Sequence, residues 1–207
     1  MASAAGLERL ELPPEWADDD VPHDVEVLVG DAEREARELE GGAFVASDYR
    51  LAWQVLRRLR SEGVLRPGAR FLEWGSGQGM VAILAALLGF EAEGVELDAR
   101  LVAASRRLAA RYGAGGRARF VHGSYERIPG QNGLPVVDAR GADAVYAYPW
   151  PGEEEAFRCR FAASARPGAL LLLALGPLDM ELWRMPGGRA GKNRVPMIGK
   201  TGETGFQ

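Results

Sequence analysis

Three glycines at alternate positions, Gly75, Gly77 and Gly79, separate a short apolar run from a long one in the stretch FLEWGSGQGM at residues 71–80. Glycine takes left-handed backbone conformations freely and lets another group come into contact with the main chain. The chain therefore turns sharply here and closely approaches something. Around this turn, five strand-like segments alternate with helical patterns: ARFLEW (69–74), FEAEGVEL (90–97), ARFVHG (118–123), ADAVYAY (142–148) and GALLLLALG (168–176). From Ser47, the residues Tyr49, Ala52, Leu56 and Leu59 fall on one helical face, and Gly63 supplies the stop. Residues 80–88 are apolar on every side, as suits a helix buried against a sheet. Asp98 is placed to cap a helix whose Leu101, Ser105, Leu108 and Tyr112 share a face, and Gly113 closes it. A helix over 153–165 begins with Glu153, Glu154 and Glu155, a start that the helix dipole favours, and aligns Phe157, Phe161 and Ala165. Such alternation predicts an α/β fold: a doubly wound, mostly parallel sheet with helices on both faces. Ligands of these sheets sit at the carboxyl ends of the strands near the switch point, which is where the glycines lie.

Residues 44–183 make up the predicted main domain. Residues 1–43 read as an acidic arm ending in one short polar helix, capped by Asp31 and with only Ala32, Ala36 and Leu39 as an apolar stripe. The arm holds 13 acidic and 3 basic side chains against 16 and 22 in the remainder, so it is expected to lie on a mildly basic body. Residues 184–207 read as a Gly-rich basic tail in which VPMIGK and TGFQ form a short hairpin, giving the sheet abbreviated C-terminal strands. The GKT at 199–201 lacks the first glycine of a phosphate-binding loop, because Arg194 stands in its place. A net charge of -4 gives no reason to expect nucleic acid or membrane as a partner. The apolar runs are too short to span a bilayer, and the opening residues lack a secretory pattern, so a cytoplasmic protein is expected. Cys159 is alone and only His23 and His122 accompany it, so neither an internal disulfide nor a Cys/His metal site is expected. Cys159 reads as a buried structural thiol, and His122 as a structural residue at a strand end.

Which ligand the turn serves depends on its spacing. The dinucleotide fingerprint G-x-G-x-x-G would place its third glycine at Met80, where close helix–strand packing is needed, so NAD and FAD fit less well. Glu73, two residues before the first glycine, would repel a pyrophosphate and attract a cation. Glu96, which ends the second strand, offers two acceptor oxygens to the vicinal hydroxyls of a ribose.

Together, the acid, the G-x-G-x-G turn and the strand-two acid resemble the class I, Rossmann-like S-adenosylmethionine-dependent methyltransferases over roughly residues 44–176. The resemblance implies S-adenosyl-L-methionine as cofactor and a small molecule or protein as methyl acceptor, an amine among the candidates. The cofactor-binding residues it implies are Glu73, Gly75, Ser76, Gly77, Gly79, Glu96, Leu97, Gly123, Ser124, Tyr125 and Tyr146. Ser124 stands where the family usually has an adenine-binding acid, and Tyr125 is placed to line the adenine. After the fourth strand, where several amino-group methyltransferases carry Asp/Asn-Pro-Pro-aromatic, this chain has Tyr148, Pro149, Trp150 and Pro151. Tyr148 and Trp150 are accordingly the candidate catalytic residues, with Tyr146 completing an aromatic wall suited to an amine. Upstream, GGAFVASDYRLAWQVL resembles a segment of small methyltransferases related to lysine methyltransferases, which implies that Phe44, Val45 and Tyr49 lie near the methionine end. Direct displacement gains more from alignment than from a base, and no base is recognisable. The alternative is a non-catalytic S-adenosylmethionine-binding module or sensor subunit, favoured by the missing strand-three acid, the partial motif after strand four and the short carboxyl end.

Overall fold

The computed structural model describes residues 6–38, 46–127 and 133–187. One seven-stranded sheet organises them: β1 (Glu8–Leu10), β2 (Arg70–Trp74), β3 (Glu91–Glu96), β4 (Ala118–His122), β5 (Ala144–Ala147), β6 (Leu170–Gly176) and β7 (Asp179–Arg184). Their order is β1-β7-β6-β5-β2-β3-β4. Strands β2 to β6 are parallel, and β7 is antiparallel to both β6 and β1. All five strands expected from the sequence are present. The chain passes from β2 to β3 on one side and later returns to β5 on the other, so the switch point lies at the carboxyl end of β2.

The helices are α1 (His23–Glu38), α2 (Tyr49–Ser61), α3 (Met80–Leu87), α4 (Ala99–Arg111) and α5 (Glu154–Ser164). The first four share one core with Phe71, Phe120, Tyr146 and Leu172 of the sheet. Among the described helices, α5 alone covers the other face, setting Phe157 and Phe161 on Leu72, Val145 and Leu171. Among the described residues no helix lies between β4 and β5, and the face over β3 and β4 carries the ion pairs Arg117–Glu91 and Arg119–Glu93. A groove of about 710 Å³ runs there at the amino ends of the strands, opposite the glycine turn.

Two sequence expectations change. The N-terminal segment is no weakly held arm with a short helix: α1 runs for 16 residues, and its Val25, Leu28, Val29 and Ala32 are buried. Asp31 lies inside α1 and accepts from the Tyr112 hydroxyl (2.6 Å) and from Arg34 (2.7 Å), so it caps nothing. The expected charge complementarity does take shape, with Glu26 on Arg50, Glu35 on Arg111, Asp19 on Arg58 and Glu8 on Arg184. The second change is at the carboxyl end, where residues 179–184 form a full strand, β7, hairpinned onto β6, and β1 takes the place beyond it. The VPMIGK–TGFQ hairpin lies outside the described residues, as do Phe44 and Val45.

Candidate functional site

Gly75, Gly77 and Gly79 all adopt left-handed backbone, with φ of 68°, 53° and 74°. The turn is clamped from several sides. Ser76 N–H donates to Val95 O (2.9 Å), Gly77 N–H to Glu96 Oε2 (2.9 Å), and Ser105 Oγ of α4 to Gly77 O (3.1 Å). A Cβ at Gly79 would fall 2.2 Å from Phe120 Cε1 and 2.9 Å from Ser105 Cβ, whereas one at Gly75 would stand 3.7 Å from Tyr125. The close helix–strand approach is therefore made at Gly79, and Met80 simply fills the core.

Glu96 accepts from Asp98 N–H through Oε1 (2.8 Å) and from Gly77 N–H through Oε2, which fixes its carboxylate at the carboxyl ends of β2 and β3. A carboxylate has about four lone-pair sites, so each oxygen keeps one. Next to it, Leu97 is 39% exposed, and its carbonyl accepts from His122 Nε2 (3.0 Å), giving that histidine a structural bond. Asp98 does cap α4, accepting from Arg100 N–H (2.8 Å), and the Arg100 side chain holds its carboxyl down at about 2.

Glu73 departs from expectation. It is fully buried and faces inward to α3, where Oε2 accepts from Ala82 N–H (2.8 Å). Burial pushes its carboxyl up to about 8, so in the protein alone it is largely uncharged at neutral pH, not the standing negative charge the sequence led one to expect. Tyr146 also turns inward: it is buried, and its hydroxyl pairs with Ser47 Oγ just ahead of α2. Tyr49 is buried close by, and desolvation raises both phenols.

Gly123 donates to Glu96 O (3.0 Å), and its missing Cβ makes room for Pro135 O, which would otherwise lie 2.7 Å away. Ser124 is already committed as an acceptor. Its carbonyl takes Val137 N–H (2.8 Å) and its Oγ takes Glu126 N–H (3.1 Å), leaving the hydroxyl hydrogen. The Tyr125 ring packs at a tilt against Phe157 and Trp74, with centroids 5.2 Å and 5.9 Å away, and the Arg160 guanidinium lies over it. Beyond β5, Tyr148 packs its ring partly against the core while Trp150 is 54% exposed. Leu178, 75% exposed and at φ 56°, crowns the adjacent β6–β7 turn, and Asp48 Oδ2 accepts its N–H (3.2 Å). Trp150 and Leu178 thus end neighbouring strands at the same end of the sheet as the glycines. Cys159 is half-buried on α5, less enclosed than expected.

Sequence reasoning missed Gln78. It is buried inside the turn, and its carboxamide, oriented so that both atoms find partners, donates to Ala32 O (3.0 Å) and accepts from Ala36 N–H (3.1 Å). Ala36 N–H and Ala32 O are the donor and acceptor of one i→i−4 rung of α1, so the side chain is spliced into that helix's hydrogen-bond ladder. The only signal in the sequence was a polar residue amid glycines.

No protein-family model matches the chain, and no curated protein matches it in sequence. Among solved structures, an RNA methyltransferase from Salinibacter ruber in complex with S-adenosyl-L-homocysteine aligns with a TM-score of 0.50 at 20% identity, covering 66% of this chain and 93% of that one. An S-adenosylmethionine-dependent methyltransferase from Geobacter sulfurreducens, also with S-adenosyl-L-homocysteine, aligns with a TM-score of 0.47 at 21% identity, over 74% of this chain and 55% of that one. The corresponding protein from Thiobacillus denitrificans gives 0.45 and 21%, over 75% and 56%. This chain spans little more than half the length of the latter two. The likeness to the first is one of fold: the chain has the Rossmann-like architecture of class I S-adenosylmethionine-dependent methyltransferases.

Proposed function

We propose that this chain is an S-adenosylmethionine-dependent methyltransferase acting on an amine of a small molecule or protein. The observation that carries the reading is the clamp between Gly77 N–H and the Glu96 carboxylate at the switch point, beside a turn whose three glycines leave the main chain bare. That clamp fits a nucleoside held by its ribose hydroxyls, and the buried Ser76 hydroxyl of the turn has no partner among the described residues. It suits a pyrophosphate poorly, because the amide of Gly77 is already spent on a carboxylate. When bound, S-adenosylmethionine supplies a methyl group on a sulfonium sulfur.

The residues' task is then to hold two reactants in line and keep water out, and alignment of this kind is worth on the order of 7–11 kcal/mol. Glu96 and Leu97 would take the ribose side, and Gly123, the Ser124 hydroxyl hydrogen and the Tyr125 ring the base. Glu73 and Tyr146 sit one layer beneath and support the turn. Tyr148 and Trp150 would receive the acceptor, since aromatic faces attract cationic nitrogen by about 0.5–2 kcal/mol each. Calorimetry with S-adenosylmethionine, S-adenosylhomocysteine and NAD tests the cofactor assignment: binding of the first two is expected, and binding of NAD alone would end it. For the acceptor side, Trp150→Ala is expected to lower turnover at least tenfold while leaving cofactor affinity within a few-fold, and equal loss of both would remove Trp150 from the site.

A further inference from the structure

Glu73 lies wholly inside the protein at the carboxyl end of β2. Facing it are the Val81 and Ala82 amides of α3, Tyr49 of α2, Tyr146 of β5 and the Glu96 carboxylate at the end of β3. None of these is a cation, and among the described residues no Arg, Lys or His pairs with Glu73. A carboxylate taken out of water without a partner either acquires a proton or is matched by a positive charge. In the protein alone the proton is the only remedy, and burial, reinforced by the Glu96 charge and opposed by the two amides, keeps the carboxyl protonated well past the usual carboxylate range. Glu73 is nonetheless only two residues from Gly75, with Oε2 anchored on the helix that the turn begins. Charges separated by low-dielectric protein interact far more strongly than in water, so a cation seated at the turn is felt by this group.

We propose that Glu73 sets the site's preference for the positively charged methyl donor over its thioether product, by giving up its proton when the donor's positive charge arrives. The inference rests on the methyltransferase reading above. Donor binding releases one proton to solvent and leaves Glu73 ionised opposite the sulfonium. Transfer of the methyl group removes the positive charge from sulfur, a proton returns to Glu73, and the product is held less tightly than the donor was.

The test is calorimetric binding of S-adenosylmethionine and S-adenosylhomocysteine to the full chain between pH 6 and 9, with Glu73→Gln alongside. Glutamine keeps the acceptor for Ala82 N–H but carries no proton to lose. For the native protein, the donor-to-product affinity ratio is expected to rise about tenfold from pH 6.5 to 8.5 and then level off, with proton release detected by changing the buffer. In Glu73→Gln the ratio is expected to be flat and about tenfold lower at the alkaline end. A flat ratio in the native protein overturns the proposal, whether or not the variant folds. A slope that survives in Glu73→Gln also overturns it, by assigning the proton to the ligand's own amine. If neither ligand gives heat at any pH, the methyltransferase reading itself falls, an outcome distinct from binding without discrimination.

Discussion

Gly75 and Gly79 occupy one turn under different constraints. Both have left-handed φ, so alanine at either costs roughly 1–2 kcal/mol in backbone strain. At Gly79 the added methyl must also displace Phe120 and Ser105, which adds about 1–3 kcal/mol of overpacking, whereas at Gly75 it meets Tyr125 at ordinary contact distance. Gly79→Ala is therefore expected to lose about 2–5 kcal/mol in urea denaturation and Gly75→Ala no more than about 2; equal losses would refute the packing argument. Glu73 gives a pH signature by linkage. Its folded carboxyl titrates near 8, above its unfolded value, so its contribution to stability is full below about pH 4.5 and is lost as pH rises toward 8. The melting temperature of Glu73→Gln is accordingly expected to match the native protein near pH 4 and exceed it by several degrees at pH 8. The glycines and Glu96 were legible in the sequence because positive φ and a strand-end acid are local requirements. The inward turn of Glu73 and Tyr146 was not, since it depends on where α3 and the segment before α2 pack, and neither was the prior commitment of the Ser124 carbonyl to Val137.

Helix α1 shows why one element escaped a reading that found the others. Its Val25, Leu28, Val29 and Ala32 follow the i, i+3, i+4, i+7 pattern of a buried face, but Gly30 interrupts it and reads as a break. Tertiary packing overrides that local cost. Nothing lies within 4 Å of a Cβ added at Gly30, so Gly30→Ala is expected to stabilise the protein by about 0.5–1 kcal/mol, measurable as a shifted denaturation midpoint. Gln78 is the reciprocal case, a single side chain holding α1 against the glycine turn. Methionine there keeps the volume but strands Ala32 O and Ala36 N–H, each buried orphan costing about 1–3 kcal/mol unless the ladder closes over it. Gln78→Met is therefore expected to speed hydrogen exchange at Ala36 and to weaken cofactor binding, whereas unchanged exchange would show that α1 holds itself closed. The regular elements from α2 to β6 posed no such difficulty, because the caps of α2 and α4 at Asp48 and Asp98 and the elements' apolar faces agree with the fold.

At the scale of the molecule, the two ends of the described chain meet on one edge of the sheet. Strand β7 pairs on one side with β6, from which it turns back directly, and on the other with β1, contributed from more than 160 residues earlier. A reading along the chain could find the parallel core, whose strands are joined by local crossovers, but not this edge: β1 has only three residues, Glu8, Arg9 and Leu10, too short for a periodic signal. The cover is electrostatic as well as hydrogen-bonded. Arg184 holds Glu8 (2.6 Å), Arg9 reaches Glu181 (3.1 Å), and the guanidinium groups of Arg9 and Arg158 lie 5.8 Å and 5.2 Å from the centre of the Trp183 ring. An open strand edge is a template for pairing with another chain, so removing residues 1–12 is expected to do two things. It should lower stability, and it should convert β7 into a self-associating edge, seen as a concentration-dependent increase in mass by light scattering. The double substitution Glu8→Lys with Arg184→Glu preserves the pairing with its charges exchanged, and is expected to stay at the native protein's association state; association in both variants would locate the sticky surface elsewhere, on the face over β3 and β4.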